Sequence, residues 1–191
     1  KLELKDPAIF ISSFNRPNIR YTVHPKKSDV FIRLLEFLDK HRDESGIIYC
    51  LSRKSTESLA ADLALHGIGA LPYHAGLDRE QRTNNQDRFL RDEVRIIVAT
   101  IAFGMGIDKS NVRFVVHMDL PKNIESYYQE TGRAGRDGVD SEALLFYSPG
   151  DVMKLKKFTL IGNNAEQTDI LLKKLDEMGR YGGLRSCRRK Y

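Results

Sequence analysis

Two stretches of this chain, Ile96-Ile97-Val98-Ala99 and Phe114-Val115-Val116, are apolar without any alternation. Successive side chains of a strand point to opposite faces, so a strand with one wet face alternates, and a strand apolar throughout is buried on both. Such strands belong to parallel sheets covered by helices on two sides, which narrows the fold more than any other feature here. The rest of the pattern agrees, with β-rich runs predicted at 9–14, 46–50, 68–73, 94–100, 113–117 and 143–147 and helical patterns between them. Ser28 is placed to cap a helix that puts Phe31, Leu34, Leu35 and Leu38 on one face. A second helix is expected over 54–66, with Leu59 and Leu63 inward and Gly67 as its stop. Asp78 and Gln81 resemble a capping box that opens a third, ending near Arg91, and a fourth follows Pro121, from Asn123 toward Arg133.

From about Pro149 the pattern changes. Val152, Leu155 and Phe158 predict one helix and Ile170, Leu171, Leu175 and Met178 another, with no strand between. The chain is therefore read as an α/β unit over 1–148 and a helical segment over 149–191, a division that suits the 191 residues available. No run of eighteen apolar residues occurs and the first residues carry no secretory signal, so a soluble, cytoplasmic protein without a membrane partner is expected. The chain begins at Lys1 rather than Met, which leaves room for an upstream segment. A net charge of +5 favours a polyanionic partner without requiring one. Cys50 lies in an apolar run and Cys187 beside arginines, which gives neither a disulfide framework nor a complete metal site.

In an open parallel sheet, ligands gather beyond the carboxyl ends of the strands, so the residues after each strand are the first place to look for chemistry. Four such junctions are unusually polar or rich in glycine. At Ser52-Arg53-Lys54 a hydroxyl, two cations and a helix start together suit a phosphate; the plain alternative is an N-cap with solvated charges. At His74-Ala75-Gly76 the glycine permits close backbone approach and the histidine offers a donor, the alternative being a simple turn histidine. After Thr100, Gly104 and Gly106 free the loop to bring N–H groups against a ligand, with Asp108 placed to accept from a ribose hydroxyl; the alternative is a plain turn, which needs only one glycine. The fourth junction runs from Gln129 to Gly138. If it is helical, Gln129, Arg133 and Arg136 fall at i, i+4 and i+7 and point one way. Two glycines inside that span cost a helix roughly 1 kcal/mol each, and close packing or a ligand is the natural compensation. The alternative is that the arginines complement a helix dipole, worth about 0.3–1 kcal/mol. Paired guanidiniums suit phosphate because the planar fork bonds two oxygens and stays charged.

No G-x-x-x-x-G-K loop followed by Ser or Thr occurs, and no D-E-x-H cluster follows a buried strand. Without a phosphate cradle or metal-holding acids, the chain is expected to supply half of a nucleotide hydrolase rather than a whole one. A G-x-S-x-G elbow and an H-E-x-x-H pair are also absent.

In order and spacing, the four junctions resemble the C-terminal motor lobe of superfamily 2 helicases, most closely the RecQ family. The resemblance spans about residues 8–191 and rests on Ser13-Phe14-Asn15-Arg16-Pro17-Asn18, Tyr73-His74-Ala75-Gly76-Leu77, the stretch 102–109 and above all the stretch 126–138. It implies an open, mainly parallel RecA-like sheet with helices on both faces, followed by a helical segment, in an ATP-dependent DNA helicase that unwinds 3′ to 5′. By the same resemblance, Arg133 and Arg136 face ATP and magnesium shared with a preceding motor lobe, and Arg136 is the arginine finger. Gln129 couples nucleotide state to the lobes, and Gly106 and Asp108 face both nucleotide and DNA. Ser52, Arg53, Lys54, His74, Gly76 and Thr100 line a track for single-stranded or duplex-junction DNA. Cys187 matches the first ligand region of a zinc module, and this chain alone is not expected to hold the metal. An RNA helicase lobe and a stand-alone nucleic-acid-binding module are the rival readings; RNA helicases of this kind usually carry His-Arg before Gly-Arg, where this chain has Gln129-Glu130-Thr131.

Overall fold

The computed structural model describes residues 15–104, 107–162 and 165–188. Among these, six strands form one open sheet: β1 Ile19–Pro25, β2 Ser45–Tyr49, β3 Ala70–Tyr73, β4 Ile96–Ala99, β5 Val112–His117 and β6 Ser141–Tyr147. Their order is β1-β6-β5-β2-β4-β3, and every pairing is parallel. The connections carry α1 Val30–Lys40, α2 Arg53–Leu65, α3 Arg79–Leu90 and α4 Ile124–Thr131, and two further helices follow β6, α5 Pro149–Gly162 and α6 Ala165–Gly183.

The non-alternating runs are the buried central strands, and their alternate residues feed two separate cores. On one face Ile48, Val98, Val116 and Leu144 pack under Leu34 and Leu38 of α1 and Leu59 and Leu63 of α2. On the other Ile47, Ile97, Val115 and Ala143 pack with Phe89 of α3 and with Phe103 and Ile107 of the β4–β5 loop. A third cluster joins Leu145 of β6 and Tyr127 of α4 to Leu155 of α5 and to Leu175, Met178 and Tyr181 of α6.

Several expectations shift. The strand predicted at 9–14 lies outside the described residues, while β1 at Ile19–Pro25 went unpredicted. Asp29 rather than Ser28 occupies the N-cap of α1, without a side-chain cap bond. Asp78 does cap α3, its Oδ1 accepting from the Gln81 N–H at 2.8 Å. The two helices predicted after Pro149 are present, although Phe158 and Ile170, two of the apolar residues that marked them, are exposed. Helix α4 stops at Thr131 instead of running to Arg133, because Gly132 and Gly135 follow and Gly135 adopts φ +58°. An added Cβ at Gly135 would also collide with the Ser141 Oγ and the Val139 carbonyl oxygen, each at 2.7 Å. The left-handed reversal there belongs to glycine on both counts.

Candidate functional site

The carboxyl ends of β2, β3 and β4 bring one set of predicted residues together. Ser52 caps α2, its Oγ accepting from the Ser55 N–H at 3.0 Å and its carbonyl oxygen from the Thr56 hydroxyl at 2.9 Å. Fixing the first turn of α2 leaves Arg53 and Lys54 exposed on it. The Arg53 guanidinium crosses directly over Gly76, where a Cβ would stand 2.8 Å from Nη1. Thr100 donates its N–H to the Tyr73 carbonyl oxygen at 3.1 Å, and its hydroxyl accepts from the Ala102 N–H at 3.4 Å. His74 behaves differently from the expectation of a phosphate donor. It is 2% exposed, its Nδ1 accepts from the Gly76 N–H at 3.2 Å, and its Nε2 meets Glu57 Oε1 at 2.9 Å. Both ring nitrogens are engaged, so His74 shapes the Gly76 turn on which Arg53 rests.

The second set lies on the turn after α4. Because the helix ends at Thr131, Gln129, Arg133 and Arg136 do not share the helical face expected of them. The two arginines nevertheless meet one partner, the β4–β5 loop. Arg133 lies against Gly104, where a Cβ would approach Nη2 to 2.9 Å. Arg136 donates from Nη1 to the Ile107 carbonyl oxygen at 2.8 Å and to Asp108 Oδ1 at 3.0 Å. The Asp108 side chain is 91% exposed, so its pair with Arg136 contributes at most about 1 kcal/mol and exchanges readily. Gly106 lies outside the described residues. Gln129 and Arg133 line a cleft of about 360 Å³ together with Tyr49, Leu51, Phe103 and Glu130, and the Arg133 Nε is buried there with no hydrogen-bond partner.

Sequence reasoning passed over the floor of that cleft. His117, the last residue of β5, is 1% exposed; its Nε2 meets Glu130 Oε2 at 2.7 Å and its ring stacks on Tyr49 at 5.2 Å. Burial pushes the Tyr49 phenol well up, and its hydroxyl donates to the Phe103 carbonyl oxygen at 2.9 Å. Two residues on, Asp119 accepts from the Leu51 N–H at 2.9 Å and pairs with Lys26 at 2.7 Å. Burial is the largest single influence on Lys26 and would lower its pKa, but the hydrogen bonds and charges of Asp119 and Asp151 together outweigh it and raise it. Cys50 beside them is pushed up to about 12 by burial and is a poor nucleophile. A signal for this group existed: His117-Met118-Asp119 is itself the junction after a buried strand. Cys187 is exposed, and among the described residues no cluster of three metal-ligating side chains occurs. Likewise no described helix is long and apolar enough to cross a membrane.

Comparison with known proteins places this geometry. The chain is 50% identical over 98% of its length to the ATP-dependent DNA helicase RecQ of Pasteurella multocida, and spans 30% of that relative. It is 49% identical over 82% of its length to the RecQ-like DNA helicase BLM of Xenopus laevis, spanning 12% of it. A crystal structure of a DEAD box protein from Methanococcus jannaschii superposes on 82% of this chain and 40% of its own, with a TM-score of 0.63 and 28% identity. The fold shared with it is the RecA-like α/β fold, here with an all-parallel sheet. A model described as the helicase conserved C-terminal domain matches residues 26–138, more than half of the chain, which therefore belongs to that family and stands with its RecQ-type members.

Proposed function

We propose that this chain is the second motor lobe of an ATP-dependent 3′ to 5′ DNA helicase, supplying an arginine finger and a track for single-stranded or duplex-junction DNA. The carrying observation is that Arg133 and Arg136 leave a single turn and both engage the β4–β5 loop. That loop begins at Thr100, among the track residues, and reaches Asp108, so one segment of backbone joins the two sets. The donors fit a polyphosphate. Arg133 has a buried Nε without a partner, and Arg136 is held by a carbonyl and a weak surface pair that an anion can displace. No carboxylate cluster in the described residues suits magnesium, which falls to the preceding lobe with most of the nucleotide. Bound there, ATP supplies the phosphoryl chemistry that drives movement. This chain contributes charge against the phosphates through Arg133 and Arg136, and Gln129 at the cleft relays closure to α4. Ser52, Arg53 and Lys54 hold the DNA backbone, with His74 positioning Gly76 beneath Arg53. The segment 149–191, with helices α5 and α6, continues from the lobe, and Cys187 is one thiol of a zinc site that other residues of the full-length protein complete.

The test is Arg136→Ala and Arg136→Lys in the full-length protein, followed by DNA-stimulated ATP turnover and equilibrium binding of ATP and single-stranded DNA. A finger acts mainly on developing charge, so turnover should fall by about 10³-fold or more while both affinities hold. Lysine should restore little, lacking the bidentate fork. Near-normal turnover in a folded Arg136→Ala protein sinks the assignment. Polarity is checked on tailed duplexes, of which only those with a 3′ tail should open.

A further inference from the structure

Of the stretches that carry the family resemblance, the one containing Arg16 and Asn18 has no part in the site so far. The structure gives it one. The Arg16 guanidinium donates to three main-chain carbonyls of the turn after α4: Gly132 at 3.3 Å, Ala134 at 3.0 Å and Gly135 at 2.7 Å. Asn18 Nδ2 adds bonds to the carbonyls of Gly135 at 2.8 Å and Val139 at 3.0 Å. The segment is itself anchored, since Ser141 donates its N–H to the Asn18 carbonyl oxygen at 2.8 Å at the start of β6. From the opposite side, the Gly135 N–H donates to the Val112 carbonyl oxygen at 2.8 Å.

A turn containing two glycines has little conformational stiffness of its own. Here the carbonyls of residues 132, 134 and 135 converge on one cation some 116 residues away in the chain. Arg133 and Arg136 are interleaved with those residues, so fixing the carbonyls fixes the Cα positions from which both side chains reach the β4–β5 loop. A guanidinium spreads its donors over a rigid plane that can hold three separated acceptors at once; an ammonium has three donors too, but on a compact point charge at the end of a flexible stem. Bonds from a charged donor to carbonyls are also stronger than neutral ones.

We infer that Arg16, seconded by Asn18, is a positioning residue for the arginine turn: it touches no substrate and acts by holding Arg133 and Arg136 in place for the phosphates. The inference rests on the reading of Arg136 as the finger. Its test in the full-length protein is Arg16→Ala and Arg16→Lys beside Arg136→Ala, with kcat and KM for ATP, single-strand binding and thermal melting measured for each.

Misplacing a reacting group by about 1 Å costs on the order of 10²-fold in rate. Arg16→Ala should therefore lose roughly that factor in kcat with KM nearly unchanged, and Arg16→Lys should recover only a small part. Added guanidinium ion at millimolar concentration should raise the turnover of Arg16→Ala and leave that of Arg16→Lys unmoved. A role confined to stability predicts a lower melting point with normal kcat well below it and no response to guanidinium, and that result overturns the inference. If Arg16→Ala does not fold, Asn18→Ala removes only two bonds and should lower kcat about tenfold; unchanged kcat there also overturns it. Should Arg136→Ala keep its turnover, the finger reading fails; should it lose turnover while the folded Arg16 variants keep theirs, only the positioning role fails.

Discussion

At the scale of single residues, His41 makes a pH-dependent contribution that can be isolated. Its ring lies 4.5 Å from Phe37 and 5.2 Å from Phe114, with Nδ1 2.6 Å from Glu44 and Nε2 3.7 Å from Glu142. Glu142 first, and then Glu44, raise its pKa above the ordinary 6.5 against the opposing effect of burial. A folded pKa above the unfolded one means stabilisation that is complete below about pH 6.5 and lost as pH rises through the folded value. Glu142 is itself held below its ordinary value, first by His41, and stays charged throughout that window. The melting difference between wild type and Glu142→Gln should therefore be larger near pH 6 than near pH 8, and the dependence should vanish in a His41→Gln background. A difference that does not change with pH would assign the stability to the Thr22–Glu142 bond instead. At this scale residue type was legible in the sequence and partners were not. Arg133, Arg136 and Ser52 drew notice because their chemistry is local. Arg16 entered only as part of the stretch that carries the family resemblance, and the His117–Glu130 pairing not at all, because their partners lie 116 and 13 residues away and only the folded sheet brings them together.

Among the elements, the β4–β5 loop is tied down by a polar knot as well as clasped by arginines. Lys109, with 3% of its side chain exposed, donates to Asp92 Oδ1 at 2.7 Å, and its ammonium stands 5.2 Å from the centre of the Phe89 ring. Asp92 also accepts from Ser45 Oγ at 3.1 Å and sits at φ +59°, a region that non-glycine residues rarely occupy. Asp92→Ala would leave a buried ammonium without its anion, but the Asp92 side chain is 54% exposed and water screens the pair, so the change should cost about 1–2 kcal/mol in denaturant unfolding. A loss below about 0.5 kcal/mol would mean that Lys109 reaches water or another acceptor on its own. Asp78→Ala, which removes the cap of α3, should cost about 1 kcal/mol by the same measurement.

The buried strands were legible because full burial forces a continuous apolar run, and α2 and α3 because Ser52 and Asp78 signal helix starts. Among the described residues strand β1 pairs with β6 alone, and it alternates Ile19, Tyr21 and Val23 with polar residues, as a strand with one wetter face does. That period-two signal was there to be read. The end of α4 was misjudged because helical spacing was extended through Gly132 and Gly135, where the chain satisfies its carbonyls on Arg16 instead.

For the molecule as a whole, two outcomes test the half-motor reading. The isolated chain should show no DNA-stimulated ATP turnover, since its sequence carries neither a G-x-x-x-x-G-K phosphate loop nor a D-E-x-H cluster to hold magnesium. Turnover that survives removal of contaminants would defeat that reading. It should bind single-stranded DNA weakly, with an affinity that falls steeply as salt rises, because Arg53, Lys54 and a net charge of +5 act on phosphates. Salt-indifferent binding would place the contact elsewhere.

The core shared by α4 and α6 has a mechanical side. Tyr127 and Tyr181 touch ring to ring at 5.3 Å, and Lys174 pairs with Glu125 at 2.7 Å, so the helix that ends in the arginine turn is braced against α6. With 19 residues, α6 is a rod of about 28 Å. A tilt of α4 by about 5°, too small to strain its own hydrogen bonds and carried rigidly through these contacts, would sweep the far end of that rod through about 1–2 Å. So coupled, α6 would act as a pointer for the arginine turn, its far end moving further than its contacts with α4.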